Sequence, residues 1–246
     1  DPKPLWEKFY QLTQIPRPSK KEAKVVEFVE KFGKDLGLET IKDEVGNVII
    51  KKPATSGYEN KKTIVMQGHL DMVPQKNSGT DFDFEKDPIE AFVDGEWVTA
   101  KGTTLGADNG MGIAAAMAVL EANDLEHGPI EALFTVDEET GMTGANALKP
   151  GILDAEILLN MDSEDEGELY IGCAGGLETN AFFHYKEEEV PADSKAVNLE
   201  VSGLKGGHSG LDINLQRGNA NKVLNRILWQ ASQTLDIRIA DIDGGS

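Results

Sequence analysis

The stretch TIVMQGHLD, residues 63–71, is an apolar run of strand length that ends in a histidine and an aspartate. Two further apolar runs, residues 130–136 and 155–161, also end in acidic residues. Segments with helical patterns separate these runs, among them the Ala- and Met-rich segment 109–123. Strands that alternate with helices are typical of an α/β fold with parallel strands. We therefore predict a mixed, largely parallel sheet that is flanked by helices.

The segments around this sheet carry weaker local patterns. Ser19 and Glu22 have the spacing of a capping box in front of an amphipathic helix. Further elements are predicted from hydrophobic periodicity and turn residues: helices at 3–14 and 141–148, strands at 39–41 and 48–51, and a hairpin turn at Asp94-Gly95.

The pattern of the chain changes after residue 176. Residues 179–185 and 195–201 alternate like half-exposed antiparallel strands, and residues 219–233 are predicted to form a long helix. Residues 236–240 are predicted to form a further strand. We therefore predict a first domain at residues 1–176 and the beginning of a smaller α+β domain at residues 177–246.

The composition excludes several classes of partner. The chain has 246 residues, with 24 Lys or Arg against 43 Asp or Glu, and a net charge of −19. Binding to nucleic acid or to an anionic membrane depends on Lys and Arg, so neither partner is expected. No apolar run approaches the ~20 residues of a membrane span. The single cysteine, Cys173, cannot form an internal disulfide and fits a reducing, cytoplasmic setting.

Acidic residues or a histidine follow each of the three predicted strands at its carboxyl end. They are His69 and Asp71, then Asp137, Glu138 and Glu139, and finally Asp162 and Glu164. Asp108 opens the Ala-rich helix. Ligands of open α/β sheets bind outside the carboxyl ends of the strands, and carboxylates that meet there repel one another unless a cation joins them. Because zinc accepts histidine and carboxylate ligands, the sequence predicts a divalent-metal site.

Each of these residues taken alone has a simpler interpretation. His69 would be a polar residue at a strand end, and Asp108-Asn109-Gly110 an ordinary turn or helix cap. Glu138-Glu139 would be a solvated edge, and residues 164–166 are best interpreted as a plain acidic loop. The metal interpretation depends on the recurrence of such groups at successive strand ends.

Four motifs in this order resemble the motif set of the co-catalytic di-zinc exopeptidases, a family that includes aminoacylases, carboxypeptidase G and dipeptidases. The motifs are GHLD at 68–71, GADNG at 106–110, TVDEETG at 135–141 and NMDSE at 160–164. Further stretches resemble the bacterial Xaa-His dipeptidase branch of that family: IPRPS at 15–19, residues 102–110, GCAGG at 172–176, GGHSG at 206–210 and RGNAN at 217–221. The resemblance covers nearly the whole chain. It implies a catalytic domain followed by the start of a lid domain.

The resemblance also implies a set of metal ligands. His69 and Asp162 would bind one metal ion, Asp108 would bridge both ions, and Glu139 would bind the second. Two Zn²⁺ ions are implied, with Co²⁺ or Mn²⁺ as alternatives. In this family the last metal ligand is a histidine near the end of a longer chain. His127 and His184 do not lie in the required motif, so we expect this chain to be the first part of the enzyme.

Roles in catalysis follow from the same resemblance. Asp71 would orient His69, and Glu138 would be the general base for a water activated by the two ions. His208, in the lid, would bind substrate and stabilise the oxyanion. The implied activity is hydrolysis of small unblocked dipeptides, with histidine favoured in the second position, as in carnosine-like substrates. A homodimer formed through the lid is one implied assembly. The alternatives are another di-zinc exopeptidase, an aminoacylase, or a catalytically incomplete fragment.

Overall fold

The computed structural model describes residues 2–163, 165, 167–173, 175, 177, 179–207 and 212–244. The chain divides into two compact units, Asp1–Ala174 and Gly175–Ser246. Among the described residues, every strand lies in the first unit. None of the helices among the described residues of either unit is long and apolar enough to cross a membrane.

The first unit contains seven strands and five α-helices among the described residues. The strands are β1 (Glu39–Lys42), β2 (Val48–Lys52), β3 (Ile64–His69), β4 (Ala91–Asp94), β5 (Trp97–Ala100), β6 (Ile130–Thr135) and β7 (Ile157–Asn160). The helices are α1 (Lys3–Thr13), α2 (Ala23–Asp35), α3 (Ala107–Glu121), α4 (Glu138–Gly141) and α5 (Thr143–Ala147). The predicted helix at 141–148 is interrupted at Met142, which has a left-handed backbone with φ 53°.

Five strands form one mixed sheet in the order β1-β2-β6-β3-β7. β3 pairs in parallel with both β6 and β7, whereas β2 is antiparallel to β1 and to β6. The predicted mixed α/β sheet is confirmed. Because β3, β6 and β7 run in the same direction, their carboxyl ends lie at one edge of the sheet. β4 and β5 form a separate hairpin whose two-residue turn begins at Gly95, with φ 61°, as Asp94-Gly95 predicted.

Helices α1, α2 and α3 contribute to one large hydrophobic core on the sheet. Phe9 and Leu12 of α1 are buried, as are Val25 and Val29 of α2. Helix α3 is apolar around most of its circumference, which is typical of a helix buried on several sides. A smaller cluster, centred on Ile49, Val65 and Leu133, packs against the segment 148–155. The sheet is therefore held by apolar contacts on both sides.

The predicted capping box in front of α2 is wrong. The helix begins at Ala23, and neither Ser19 nor Glu22 caps it with a side chain. Ser19 Oγ instead donates a hydrogen bond to Asp71 Oδ2 at 2.8 Å. Glu22 Oε1 accepts from the backbone N–H groups of Lys20 and Asp137, at 2.8 and 3.1 Å. Both side chains thus bind partners distant in sequence in preference to the helix terminus.

The second unit contains helix α6 (Ala220–Ser232), close to the prediction, and a short 3-10 helix, Ile213–Leu215. Asn219 caps α6, because its Oδ1 accepts from Lys222 N at 2.9 Å. The strands predicted at 179–185, 195–201 and 236–240 are not formed in the described part of this unit. A strand is stable when a neighbour pairs with its backbone and another layer covers one face. Phe182 and Phe183 are 86% and 84% exposed, so no such layer covers the first segment.

We predict that Phe134→Ala will lower the free energy of unfolding by about 3–5 kcal/mol, because it leaves a cavity in a packed core. Phe134 lies in β6 and is 0% exposed. The matched control is Phe92→Ala in the hairpin, where the ring is 47% exposed; a change within about 0.5 kcal/mol is expected. Urea denaturation measures both variants. Equal losses in the two variants would contradict the described core.

Candidate metal centre

Five of the predicted site residues meet at the carboxyl edge of the sheet. His69 is the last residue of β3, and Asp162 comes two residues after the end of β7. Glu138 and Glu139 open α4, which follows β6. Asp108 lies in the first turn of α3. Four separate segments of the chain therefore bring their polar side chains to one place.

The imidazole of His69 lies at the middle of this group and is 1% exposed. Its Nε2 atom is 3.0 Å from Asp108 Oδ1, 3.7 Å from Asp162 Oδ1 and 4.0 Å from Glu138 Oε2. Two sets of possible ligand atoms lie within 4.8 Å of one another: His69 with Asp108 and Asp162, and His69 with Glu138 and Glu139. Each set has the size and the donor types that a divalent ion accepts.

Asp71 holds the other side of the His69 ring. His69 Nδ1 is 3.1 Å from the backbone oxygen of Asp71 and 3.3 Å from its Oδ1. The Asp71 carboxylate also accepts the backbone N–H groups of Glu138 and Glu139, at 3.0 and 3.2 Å, in addition to the Ser19 hydroxyl. Burial alone raises the pKa of Asp71, but its hydrogen bonds with His69, Glu138 and Ser19 outweigh burial and lower the pKa to about 2.

The start of α3 is shaped around Asp108 and Asn109. Both residues have non-helical backbone angles, the peptide bond between them is cis, and Gly106 before them has φ 72°. The Asn109 amide donates to Asp162 Oδ1 and to Met161 O, both at 2.8 Å. Asn109 therefore joins the start of α3 to the segment after β7. Sequence reasoning missed this role because the residue belongs to a common turn motif.

The electrostatics of the site reflect crowded negative charge. Burial raises the pKa of Glu139 to about 7, and the charge of Asp108 adds to the effect. Burial likewise raises the pKa of Asp162, to about 6. Burial lowers the pKa of His69, but its hydrogen bonds with Asp108 and Asp71 outweigh it and raise the pKa to about 10. Carboxylates that resist ionisation beside an imidazole are groups that a cation would stabilise, so these residues fit a divalent metal ion.

Asp137, the remaining acid after β6, has different partners. Its carboxylate accepts hydrogen bonds from the hydroxyl groups of Thr140 and Thr143. Together with Glu22 and Asp71 it forms a buried group of three carboxylates behind the site, with oxygens within 4.8 Å. Burial raises the pKa of Glu22. The Thr hydrogen bonds and the left-handed backbone of Asp137, with φ 52°, fix the turn that leads into α4.

Among the other histidines of the first unit, His127 does not contribute to this site. His127 lies before the amino end of β6, where its Nδ1 contacts Gly128 O at 2.7 Å. The six residues of β6 span roughly 17 Å, so His127 is at the opposite edge of the sheet from His69. His184 is an exposed residue of the second unit. His208, predicted to bind substrate, lies outside the described residues.

Comparison with known proteins gives relatives with peptidase names. The cytosol non-specific dipeptidase of Escherichia coli is 51% identical over 245 residues, covering 100% of this chain and 50% of that protein. The crystal structure of aminoacylhistidine dipeptidase from Vibrio alginolyticus is 48% identical, with a TM-score of 0.70; the match covers 96% of this chain and 48% of that one. Aminopeptidase PepT from Bacillus cereus is 29% identical, with a TM-score of 0.57, over 67% of this chain and 44% of that one.

This chain therefore spans about half the length of the relatives that it matches. The model of peptidase family M20/M25/M40 matches residues 65–234, a range that includes every residue of the carboxyl-edge site. From this match and from the 51% identity along its whole length to a dipeptidase, we conclude that the chain belongs to peptidase family M20/M25/M40.

Proposed function

We propose that this chain carries most of the catalytic centre of a zinc-dependent dipeptidase. The observation that carries the proposal is the meeting of His69 with the carboxylates of Asp108, Glu138, Glu139 and Asp162. These groups come from four segments and crowd together at the carboxyl edge of the sheet, where α/β folds bind their ligands. Family membership supports the same reaction class, because the named relatives are peptidases.

We assign the metal ligands as follows. His69 and Asp162 would hold one Zn²⁺ ion, Glu139 would hold a second, and Asp108 would be a ligand to both. The distances of 3.0 and 3.7 Å from His69 Nε2 to Asp108 and Asp162 support the first part of this assignment. The position of Glu139, with its ligand atom within 4.8 Å of those of His69 and Glu138, supports its place in the same centre. Co²⁺ and Mn²⁺ are alternatives, because sites built from carboxylates and histidine also accept these ions.

The protein groups then divide the work of peptide hydrolysis. Zinc held by these residues would supply Lewis-acid chemistry, polarising the scissile carbonyl and lowering the pKa of a bound water. Glu138 accepts a proton from the attacking water and delivers it to the nitrogen of the leaving amine as the C–N bond breaks. Asp71 fixes the His69 ring by accepting from Nδ1, so Nε2 faces the carboxylates of Asp108 and Asp162. His208 of the lid is proposed to bind the substrate and stabilise the oxyanion.

The proposed substrates are small unblocked dipeptides with histidine in the second position. This preference is supported by the name of the Vibrio alginolyticus relative, an aminoacylhistidine dipeptidase. A broader substrate range is the second candidate, because the Escherichia coli relative is named a non-specific dipeptidase of the cytosol. A panel of Xaa-His dipeptides, other dipeptides and N-acylated amino acids separates these candidates from an aminoacylase. A homodimer through the lid and a cytoplasmic location remain part of the proposal.

Calorimetric titration of the metal-free 246-residue chain with Zn²⁺ tests the centre directly. We expect zinc to bind, with the site formed by Glu139 weaker because, among the described residues, its group shares its one histidine, His69, with the other site. Asp108→Ala should abolish binding of both ions, since a bridging carboxylate contributes to each. A matched control is Asp94→Ala, in the turn of the β4–β5 hairpin. No specific binding to the wild-type chain would contradict the proposal, and one ion retained at full affinity by Asp108→Ala would contradict the bridging role.

We predict that Glu138→Ala lowers the rate of dipeptide hydrolysis by about 10²–10⁴-fold, the usual contribution of a general base. Zinc affinity should stay within a few-fold of wild type, because the backbone N–H of residue 138 still donates to Asp71. Amine release from a dipeptide measures the rate, and calorimetry measures zinc binding. If Glu138→Ala loses zinc as well, Glu138 is a ligand and the roles of Glu138 and Glu139 must be exchanged.

The pKa of Glu139 predicts how the metal-free chain responds to pH. A carboxyl whose pKa is higher in the folded state binds more protons when folded, so its contribution to stability falls as the pH rises. For Glu139 this fall lies between pH 4.5 and about 7. In Glu139→Gln, the free energy of unfolding should fall less across this range, by about 1 kcal/mol after allowance for solvent screening.

Urea denaturation of the metal-free protein at a series of pH values measures the difference. The control is Glu7→Gln on the exposed side of α1, where the side chain is 57% exposed. Its pH profile should run parallel to that of the wild type. A Glu139→Gln profile that also runs parallel to the wild type would mean that crowded charge at this residue does not act on stability.

A further inference from the structure

Arg17 is a buried cation behind the carboxyl-edge site. It lies in the connection between α1 and α2, and it is 1% exposed. One of its terminal nitrogens, Nη1, donates to the backbone oxygens of Leu70 and Asp71, at 2.9 and 3.0 Å. The other, Nη2, donates to the backbone oxygen of Gly106 at 2.5 Å. Both terminal nitrogens of Arg17 therefore donate to backbone oxygens, one in the loop after β3 and the other in the loop before α3.

These two loops contact the two ring nitrogens of His69. The Asp71 oxygen that accepts from Arg17 is also 3.1 Å from Nδ1 of His69. Gly106 stands two residues before Asp108, whose carboxylate is 3.0 Å from Nε2 of the same ring. Arg17 thus joins, from behind, the loop that fixes the His69 ring and the loop that presents Asp108. Its planar fork is suited to such a task because it binds several acceptors in a fixed geometry.

Two glycines at the start of α3 lie against the guanidinium. A Cβ atom added to Gly106 would lie 2.7 Å from Arg17 Nη2, and one added to Gly110 would lie at the same distance from that nitrogen. Gly106 also has φ 72°, whereas Gly110 has an ordinary backbone. The start of α3 is therefore built around Arg17, with both glycines bordering the guanidinium.

The charge of Arg17 is matched to the acids of the site. Burial lowers its pKa to about 10, and the carboxylates of Asp71, Asp108 and Glu139 act in the opposite direction. The side chain is consequently charged at neutral pH. A buried guanidinium is costly unless hydrogen bonds and nearby negative charge compensate it, and this location supplies both.

We propose that Arg17 is a positioning residue of the metal centre. It holds the His69–Asp71 loop and the Gly106–Asp108 loop at the separation that metal binding requires, without touching the metal or the substrate. This inference rests on the proposed zinc centre, and it adds a group outside the four ligand motifs.

The experiment compares zinc affinity in three variants of the full chain. Arg17→Met removes the charge and the fork, and Arg17→Lys keeps the charge without the fork. Lys52→Met is the matched control, because Lys52 Nζ donates to the backbone oxygens of Val119 and Ala122 at the far end of α3. Calorimetry gives zinc affinity, and urea denaturation of the metal-free proteins gives stability.

We expect Arg17→Met to bind zinc about 10- to 100-fold more weakly than wild type, the usual effect of losing a group that supports metal ligands. Arg17→Lys should recover part of this loss. Lys52→Met should lower stability but keep zinc affinity within about twofold, since its site is distant. The proposal is overturned if folded Arg17→Met binds zinc like wild type, or if Lys52→Met loses as much affinity as Arg17→Met.

A second variant and a metal-independent measurement cover failure of folding or of the proposed function. Gly110→Ala keeps Arg17 but crowds its Nη2 atom, and it should weaken zinc binding as Arg17→Met does. Hydrogen exchange of the Glu138 and Glu139 amides, which donate to the Asp71 carboxylate, reports on the loop without zinc. Exchange about tenfold faster in Arg17→Met and unchanged in Lys52→Met supports the positioning role even in a chain that hydrolyses no dipeptide. Unchanged exchange in both variants overturns it.

Discussion

Crowded negative charge at the carboxyl edge of the sheet is the constraint on which the rest of the first unit depends. Asp108, Glu138, Glu139 and Asp162 surround a single imidazole, and burial together with mutual repulsion raises the pKa of Glu139 and Asp162. Such a group would spread apart if its members shared one flexible loop. Here the four acids come from three separate segments, which are the start of α3, the start of α4 and the residues after β7. A mixed sheet with apolar contacts on both faces fixes these segments. The stability of the core thus compensates the electrostatic cost of the site.

The part of this arrangement that the sequence predicts follows from strand ends. Apolar runs at 63–67, 130–136 and 155–161 correspond to β3, β6 and β7. For β3 and β6 the reason is that a strand between two packed layers is continuously apolar, whereas β7 is an exposed edge strand. Once these strands are parallel, topology alone brings the residues after them to one edge. That is why His69, Glu138 and Asp162 can be grouped without any knowledge of their contacts. The roles of His69 and Asp162 as metal ligands and of Glu138 as general base stay predictions.

Other features could not be predicted, because they depend on partners far away in the chain. Ser19 has the local spacing of a helix cap, yet its hydroxyl binds Asp71, 52 residues away. Arg17 and Asn109 likewise act on segments more than 50 residues distant. The strands expected at 179–185 and 195–201 fail for the complementary reason. Alternation of apolar residues indicates which face would be buried, but a strand forms only where another strand and a covering layer are present.

The site is finally divided into an inner part and an outer part. His69 and Asp71 are 1% and 0% exposed and contact each other, and Asp71 also accepts from backbone N–H groups and from the Ser19 hydroxyl. Asp108, Glu138 and Asp162 have side chains that are 45%, 32% and 27% exposed. An ion can therefore reach the outer carboxylates from solvent while the inner pair keeps the imidazole in a fixed orientation. Rigid support behind accessible ligands lowers the cost of reorganisation on binding. Arg17 lies behind this inner part. Its buried charge is tolerated there because backbone oxygens accept its hydrogen bonds and the carboxylates of the site are near.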